Sequence, residues 1–163
     1  MPVTSSRHRP RHLLPALVLL IAAAGCATAD DGASAAVPSP DAKVAGLCQN
    51  LDLALPPTVD GLKRADPSPA SKLTAGWGNP VIILRCGVER PAEMDDPAAD
   101  GVEVDGVGWQ LLERDDGAFR FTTTLREAYV EVTVPKERAE GGMAPLVDLA
   151  PAVKKAIPEG IAS

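Results

Sequence analysis

The residues of this 163-residue chain with the widest chemical range are three cysteines, at 26, 48 and 86, and two histidines, at 8 and 12. An odd cysteine count leaves at least one thiol without a partner in the chain. Cys26 closes the stretch "LIAAAGC" (residues 20–26), after which the chain turns polar with "ATADDG". A thiol directly after small residues at the end of a short apolar run matches the bacterial lipobox, where it receives a diacylglycerol before cleavage. The usual pattern has Leu three residues before the cysteine, and Ala23 stands there in this chain.

The residues before Cys26 fit the same reading. Arg7, Arg9 and Arg11 form a basic start, and an apolar run from Leu13 to Ala24 is interrupted only by Pro15. Twelve residues fall short of the ~20 that a spanning helix needs, so residues 1–25 read as a cleaved lipoprotein signal peptide. Cys26 is then the expected lipidation site, and the membrane is the expected partner through that anchor, at the extracytoplasmic face. Export also bears on the remaining thiols. Outside the cytoplasm cysteines oxidise, so a Cys48–Cys86 disulfide is expected.

Cleavage removes both histidines, and with them Ser-His-Asp and Cys-His catalysis. With the cysteines acylated or oxidised there is no thiolate nucleophile and no His/Cys zinc site. No Gly-rich phosphate loop is present. No metal or other cofactor is therefore expected. Taking the three arginines of residues 1–25 from the 16 basic side chains leaves 13 against 22 acidic ones, a formal charge of −9. Such a surface disfavours nucleic acid. Carboxylate chemistry stays open in principle: Glu93, Asp95, Asp96 and Asp100 share one loop, although a solvated acidic loop describes them better than a glycosidase pair or a calcium site.

Three further side chains are candidate binding residues. Arg85 lies inside "VIILRCGV" (81–88), where a charge needs a partner. That partner is either a carboxylate on a neighbouring strand or an anionic ligand. Trp77, between Gly76 and Gly78, reads as a loop aromatic, either folded over the core or serving as a stacking platform. The Asn79-Pro80 turn is expected to bring Trp77 and Arg85 together around the main recess of the domain. Arg126, beside Glu127, reads as a strand-end ion pair.

These residues need a scaffold. Residues 26–42 are small, polar and Pro-punctuated, and read as a disordered tether; a single domain is expected over 43–158, with 159–163 as a tail. Val44, Leu47, Cys48, Leu51 and Leu55 fall on one helical face, with a start signal at Ser39-Pro40 and a stop at Pro56-Pro57. Residues 56–80 are rich in Pro and Gly and predict loop, with one short strand around 59–63. "VIILRCGV" predicts a central strand and the Asp- and Ala-rich stretch after it a loop. Residues 107–125 predict a hairpin: Trp109 and Leu111 face inward, Asp116-Gly117 turns, and Phe119 and Phe121 return. "AYVEVTVP" adds a strand with Val130, Val132 and Val134 on one face. Leu146, Val147, Ala150, Val153 and Ile157 make a helical stripe that Pro151 is expected to kink or split. The fold class is α+β: a mainly antiparallel sheet packed with an N-terminal and a C-terminal helix, and one disulfide.

Five stretches together resemble a known family: "LCQNLDLALPPTVDGLKR", "TAGWGNPVIILRCGV", "GVGWQLLE", "FTTTLREAYVEVTVP" and "LVDLAPAVKKAIP". In this order they are similar to the actinobacterial lipoproteins grouped as domain of unknown function family 3515, over residues 44–158. Gly76 stands where the family pattern suggests Ala. The resemblance implies an exported, envelope-associated protein with Cys48 and Cys86 paired, and it carries no activity. Taken together, the expectation is a non-catalytic envelope lipoprotein that binds a small ligand or another envelope protein, with a carboxylate-based envelope hydrolase as the alternative.

Overall fold

A computed structural model describes Met1 and residues 33–79, 81–139 and 142–162. The expected signal peptide and Cys26 lie outside the described residues.

Helix α1, Ala42–Ala54, starts two residues later than Ser39-Pro40 suggests. Asp41 is its N-cap, and its carboxylate accepts from the backbone N–H groups of Lys43 (2.7 Å) and Val44 (3.0 Å). That satisfies donors the helix itself cannot. The helix ends at the Pro56-Pro57 stop, and Val44, Cys48 and Leu51 form its buried face.

Residues 58–77 hold more structure than their composition suggests. Strands β1 (Thr58–Val59) and β2 (Leu62–Lys63) form a small hairpin. Its turn residues Asp60 and Gly61 both have positive φ, as a two-residue hairpin turn requires. Strand β3, Thr74–Trp77, follows where a loop was expected.

The main sheet has six antiparallel strands in the order β3-β4-β8-β7-β6-β5. Its other members are β4 (Ile82–Cys86), β5 (Gly101–Val104), β6 (Val107–Glu113), β7 (Phe119–Thr124) and β8 (Val130–Val134). Strand β4 is an inner strand, one place from the edge, between β3 and β8. The expected hairpin is β6–β7, paired from Gly108↔Thr124 to Glu113↔Phe119. Strand β5 was not expected. It joins β6 through Asp105-Gly106, another pair of positive-φ residues.

Strand alternation gives the sheet two unlike faces. One carries Trp77, Ile82, Leu84, Cys86, Trp109, Phe121, Val130 and Val132, which share a core with Val44, Cys48 and Leu51 of α1 and with helix α3, Ala144–Ala156. The Cys48–Cys86 disulfide, with Cα atoms 5.5 Å apart, ties α1 to β4 inside that core. A short helix α2, Lys136–Ala139, follows β8.

Pro151 does not divide α3. The helix continues through it because Pro151 faces solvent while Leu149, Ala150, Ala152 and Val153 stay buried on both sides. The carbonyl that loses its N–H partner can then take water. Val147 is 46% exposed and does not belong to the buried stripe; Leu149 takes its place.

Two ends of the domain are firmer than expected. Residues 33–41 of the expected tether lie against the domain: Ser34 forms a parallel bridge with Ser68, and Ala35 is buried. At the other end, Glu159 bridges Arg126, and Gly160 N–H donates to Leu125 O at 3.0 Å.

Candidate functional site

The second face of the sheet is polar. One straight row of cross-strand neighbours runs over all six strands: Thr74↔Arg85, Arg85↔Glu131, Glu131↔Thr122, Thr122↔Gln110 and Gln110↔Gly101. Thr74, Glu131, Thr122 and Gln110 are each buried. Burial of so many polar groups on one face of a sheet needs partners and a cover.

Glu131 supplies the main partner. Arg85 donates from Nε to Oε1 at 2.9 Å and from a terminal nitrogen to Oε2 at 3.0 Å. This two-pronged geometry is the strong form of the arginine–carboxylate bond. Arg85 is thus held by a carboxylate on the adjacent strand.

The cover is the connection from Gly87 to Asp100, which makes one 3-10 turn at Ala92–Asp95. Glu93 in that turn accepts from Arg120 of β7 at 2.8 Å. Arg90 pairs with Asp95 and also donates to Met94 O at 3.1 Å. The acidic loop is pinned to the sheet at Glu93, while Asp95, Asp96 and Asp100 are exposed, as in a solvated acidic loop. Under it lie two recesses. The first, about 730 Å³, is bounded by Pro38–Asp41, Arg85, Arg90, Glu93, Arg120, Tyr129 and Glu131. The second, about 1040 Å³, holds Met94, Asp100, Gln110, Thr124, Leu125, Arg126 and Ile161. Arg90 and Tyr129 line both.

Trp77 takes no part in either recess. It sits opposite Ile82 on the apolar face, fully buried, while Arg85 sits on the polar face. The expected Trp77–Arg85 recess does not form, because the residues occupy opposite sides of adjacent strands. The indole N–H of Trp77 donates to Pro56 O at 3.1 Å, and the Arg64 guanidinium lies 5.6 Å from its ring centroid. Trp77 is a core residue.

Arg126 also departs from its expected partner. It does not pair with Glu127, which bonds Lys43 at 3.0 Å. Its guanidinium, in a residue only 5% exposed, donates to Ile157 O (3.1 Å) and Gly106 O (3.0 Å) and lies 3.7 Å from Glu159. It ties the β5–β6 turn to the C-terminal segment and forms part of the second recess.

Asp52 anchors a separate cluster on the helix side. Burial alone would push its carboxyl up, but hydrogen bonds from Arg64 (2.7 Å) and Lys72 (2.9 Å), with their charges, outweigh it and hold it below the usual carboxylate range.

Chemically, the polar face offers paired charges, amides and hydroxyls. Among the described residues there is no group of three or more His, Cys, Asp or Glu placed to hold a metal ion. Both oxygens of Glu131 are engaged by Arg85, and Glu93 by Arg120. Gln110 and Tyr129, which the sequence reading passed over, line this face; a polar residue on the outward phase of a strand gives no sign in sequence that another segment covers it.

Fold and site together define a class: an α+β domain with one antiparallel sheet, two helices on its apolar face, a disulfide between helix and sheet, and a covered polar face. A family model described as "Protein of unknown function (DUF3515)" matches residues 13–162, and the chain belongs to that family. No curated protein and no solved structure matches it.

Proposed function

We propose that this chain is an exported lipoprotein, anchored through Cys26 at the extracytoplasmic face of the membrane, and that its domain acts by binding without catalysis. The observation that carries the binding reading is the covered polar face: a row of buried polar side chains lies beneath a pinned connection, beside recesses of about 730 and 1040 Å³. Volumes of this order suit small ligands. In the first recess Arg85 is matched by Glu131, Arg120 by Glu93 and Arg90 by Asp95, which leaves no free cation among the described residues there for a bare anion and favours a neutral or zwitterionic polar ligand.

The sequence before Cys26 supports the anchor. No helix among the described residues is long and apolar enough to cross a membrane.

Two measurements test the reading. Mass spectrometry of the membrane-extracted protein should find a lipid increment on the peptide beginning at Cys26, and Cys26→Ser should release the protein. An unmodified Cys26 in the membrane fraction would overturn the anchor. For binding, NMR of the labelled full chain in detergent, titrated with an envelope extract, should move resonances of the polar face, such as Arg85, Tyr129 and Gln110. Shifts confined to the helix side, or none, would overturn the binding site.

A further inference from the structure

Deepening the binding reading above, and resting on it, we propose that the second recess is the ligand-reading end of the polar face, and that it takes a small polar molecule in which a protonated amine stands next to a hydrogen-bond donor–acceptor pair.

Gln110 carries the argument. It is 6% exposed, sits on the polar face and lines the second recess. Of the other buried polar groups of the row, Glu131 takes the two-pronged bond from Arg85, Thr122 offers a single hydroxyl, and the Thr74 hydroxyl, without a partner, lies on the edge strand β3 outside this recess. The side-chain hydrogen bonds among the described residues do not include the amide of Gln110. A buried primary amide presents a carbonyl acceptor and an NH2 donor side by side. Among the described residues the fully enclosed side-chain groups without a partner are Thr74 Oγ1 and Trp109 Nε1, so the Gln110 amide is not sealed in and opens to the recess it lines. A ligand in the recess that offers a matching donor and acceptor meets both groups of the amide at once.

The surroundings clear a place for such a ligand. Gln110 is flanked on the polar face by Gly101 across the strand pair and by Gly108 two residues along. A Cβ at Gly108 would press on Thr124 Oγ1. Thr124 Oγ1 thus already covers Gly108, and the bare backbone open to close approach beside the amide is that of Gly101.

Charge selects among the molecules that fit. Asp96, Asp100, Glu103 and Glu159 line this recess. Its two arginines are already engaged, Arg90 by Asp95, and Arg126 by two backbone carbonyls and by Glu159 at 3.7 Å. Asp96, Asp100 and Glu103 thus line the recess without equivalent free cations among the described residues, which draws a positive group and repels an anion. At the rim, Leu125 is 76% and Ile161 84% exposed, an apolar margin for the carbon skeleton of the ligand. Leu125 holds a positive φ of 52°, a conformation costly for a bulky side chain, and it presents that side chain at the opening.

An amine beside a donor–acceptor pair occurs in amino sugars, where a hydroxyl completes the set, and in amino-acid amides. The test separates the two. The labelled full chain in detergent is titrated with glucosamine and with glycinamide, and in parallel with N-acetylglucosamine, which lacks the charge, and with gluconate, which reverses it. The expected result is a saturable shift of the Gln110 side-chain amide and of Gly101 and Gly108 with at least one amine, the stronger binder naming the source. N-acetylglucosamine should bind more weakly and gluconate not at all. Gln110→Leu should weaken the amine roughly tenfold, the equivalent of two net hydrogen bonds. Glu103→Gln, an exposed change that leaves the core intact, should weaken the amine and spare the acetylated probe.

Equal binding of amine and anion, or Gln110→Leu without effect on the amine, would overturn the proposal. Shifts of the amine probes confined to Arg85, Arg120 and Glu131 would also overturn it while leaving the broader binding reading in place. Absence of any shift with these probes, alongside polar-face shifts with an envelope extract, would refute the ligand class alone.

Discussion

Replacing Arg85 by Met tests whether the polar face is held by its central ion pair. The Glu131 side chain is 8% exposed and that of Arg85 28%, and both carboxylate oxygens accept from the guanidinium. Removing one partner of a buried pair strands the other and costs about 3–5 kcal/mol. The first recess lets water reach the arginine side, so screening brings the expected cost down to about 2–3 kcal/mol. For a domain of this length that is a fall of roughly 10 °C in thermal midpoint. The assay is thermal unfolding followed by circular dichroism, for Arg85→Met, Glu131→Leu and the double variant. Replacing both partners by apolar side chains should recover most of the loss, because the stranded charge is gone. A single variant within about 2 °C of the parent, or a double variant no better than Arg85→Met, would refute the argument that this pair is desolvated.

Other expectations follow from the same contacts. Opening the disulfide with Cys48→Ala and Cys86→Ala frees a loop with a sequence separation of 38, and chain entropy sets the loss at about 4 kcal/mol in denaturant unfolding. Asp52, whose carboxyl is held low, contributes stability that is present above its unfolded value near pH 4 and is lost as pH falls through its lower folded value. Asp52→Asn should therefore destabilise at neutral pH and flatten the acid limb of a stability–pH curve; an unchanged limb would contradict this. Gly108→Ala should cost about 1–2 kcal/mol by pressing a methyl on Thr124 Oγ1, and Thr124→Ala should relieve it in the same unfolding assay.

The elements legible in the sequence were those whose own pattern decides them. The α1 stripe, the β6–β7 hairpin and the alternating valines of β8 each bury one face, so periodicity reports them directly. The pairing of Cys48 with Cys86 was expected from reading the chain as exported, and the disulfide is present. Strands β3 and β5 escaped because Pro and Gly surround them; β5 nonetheless carried a signal, Asp105-Gly106, and so did the β1–β2 hairpin in Asp60-Gly61, turn dipeptides as plain as Asp116-Gly117. Trp77 was misplaced for the same reason. Once β3 is a strand, alternation puts Trp77 beside Ile82 and away from Arg85. The polar row was beyond reach, since it arises from register between strands distant in sequence, and its cover is a loop whose path no periodicity specifies.

The docking of residues 33–41 has a consequence for reach. Ser68 N–H donates to Ala33 O at 3.2 Å, and Ala35 N–H to Ser68 O at 3.0 Å, so the chain is already fastened to the domain at Ala33. Only residues 27–32 separate that point from Cys26. Even fully stretched, this stretch spans no more than about 25 Å. A domain of this size is about 35 Å across. With a lipid on Cys26, as proposed, the domain rides on a leash shorter than its own width. Its search for a partner is then confined to the layer of fluid next to the bilayer, and encounter rates follow how densely a molecule populates that surface, not its concentration in the bulk.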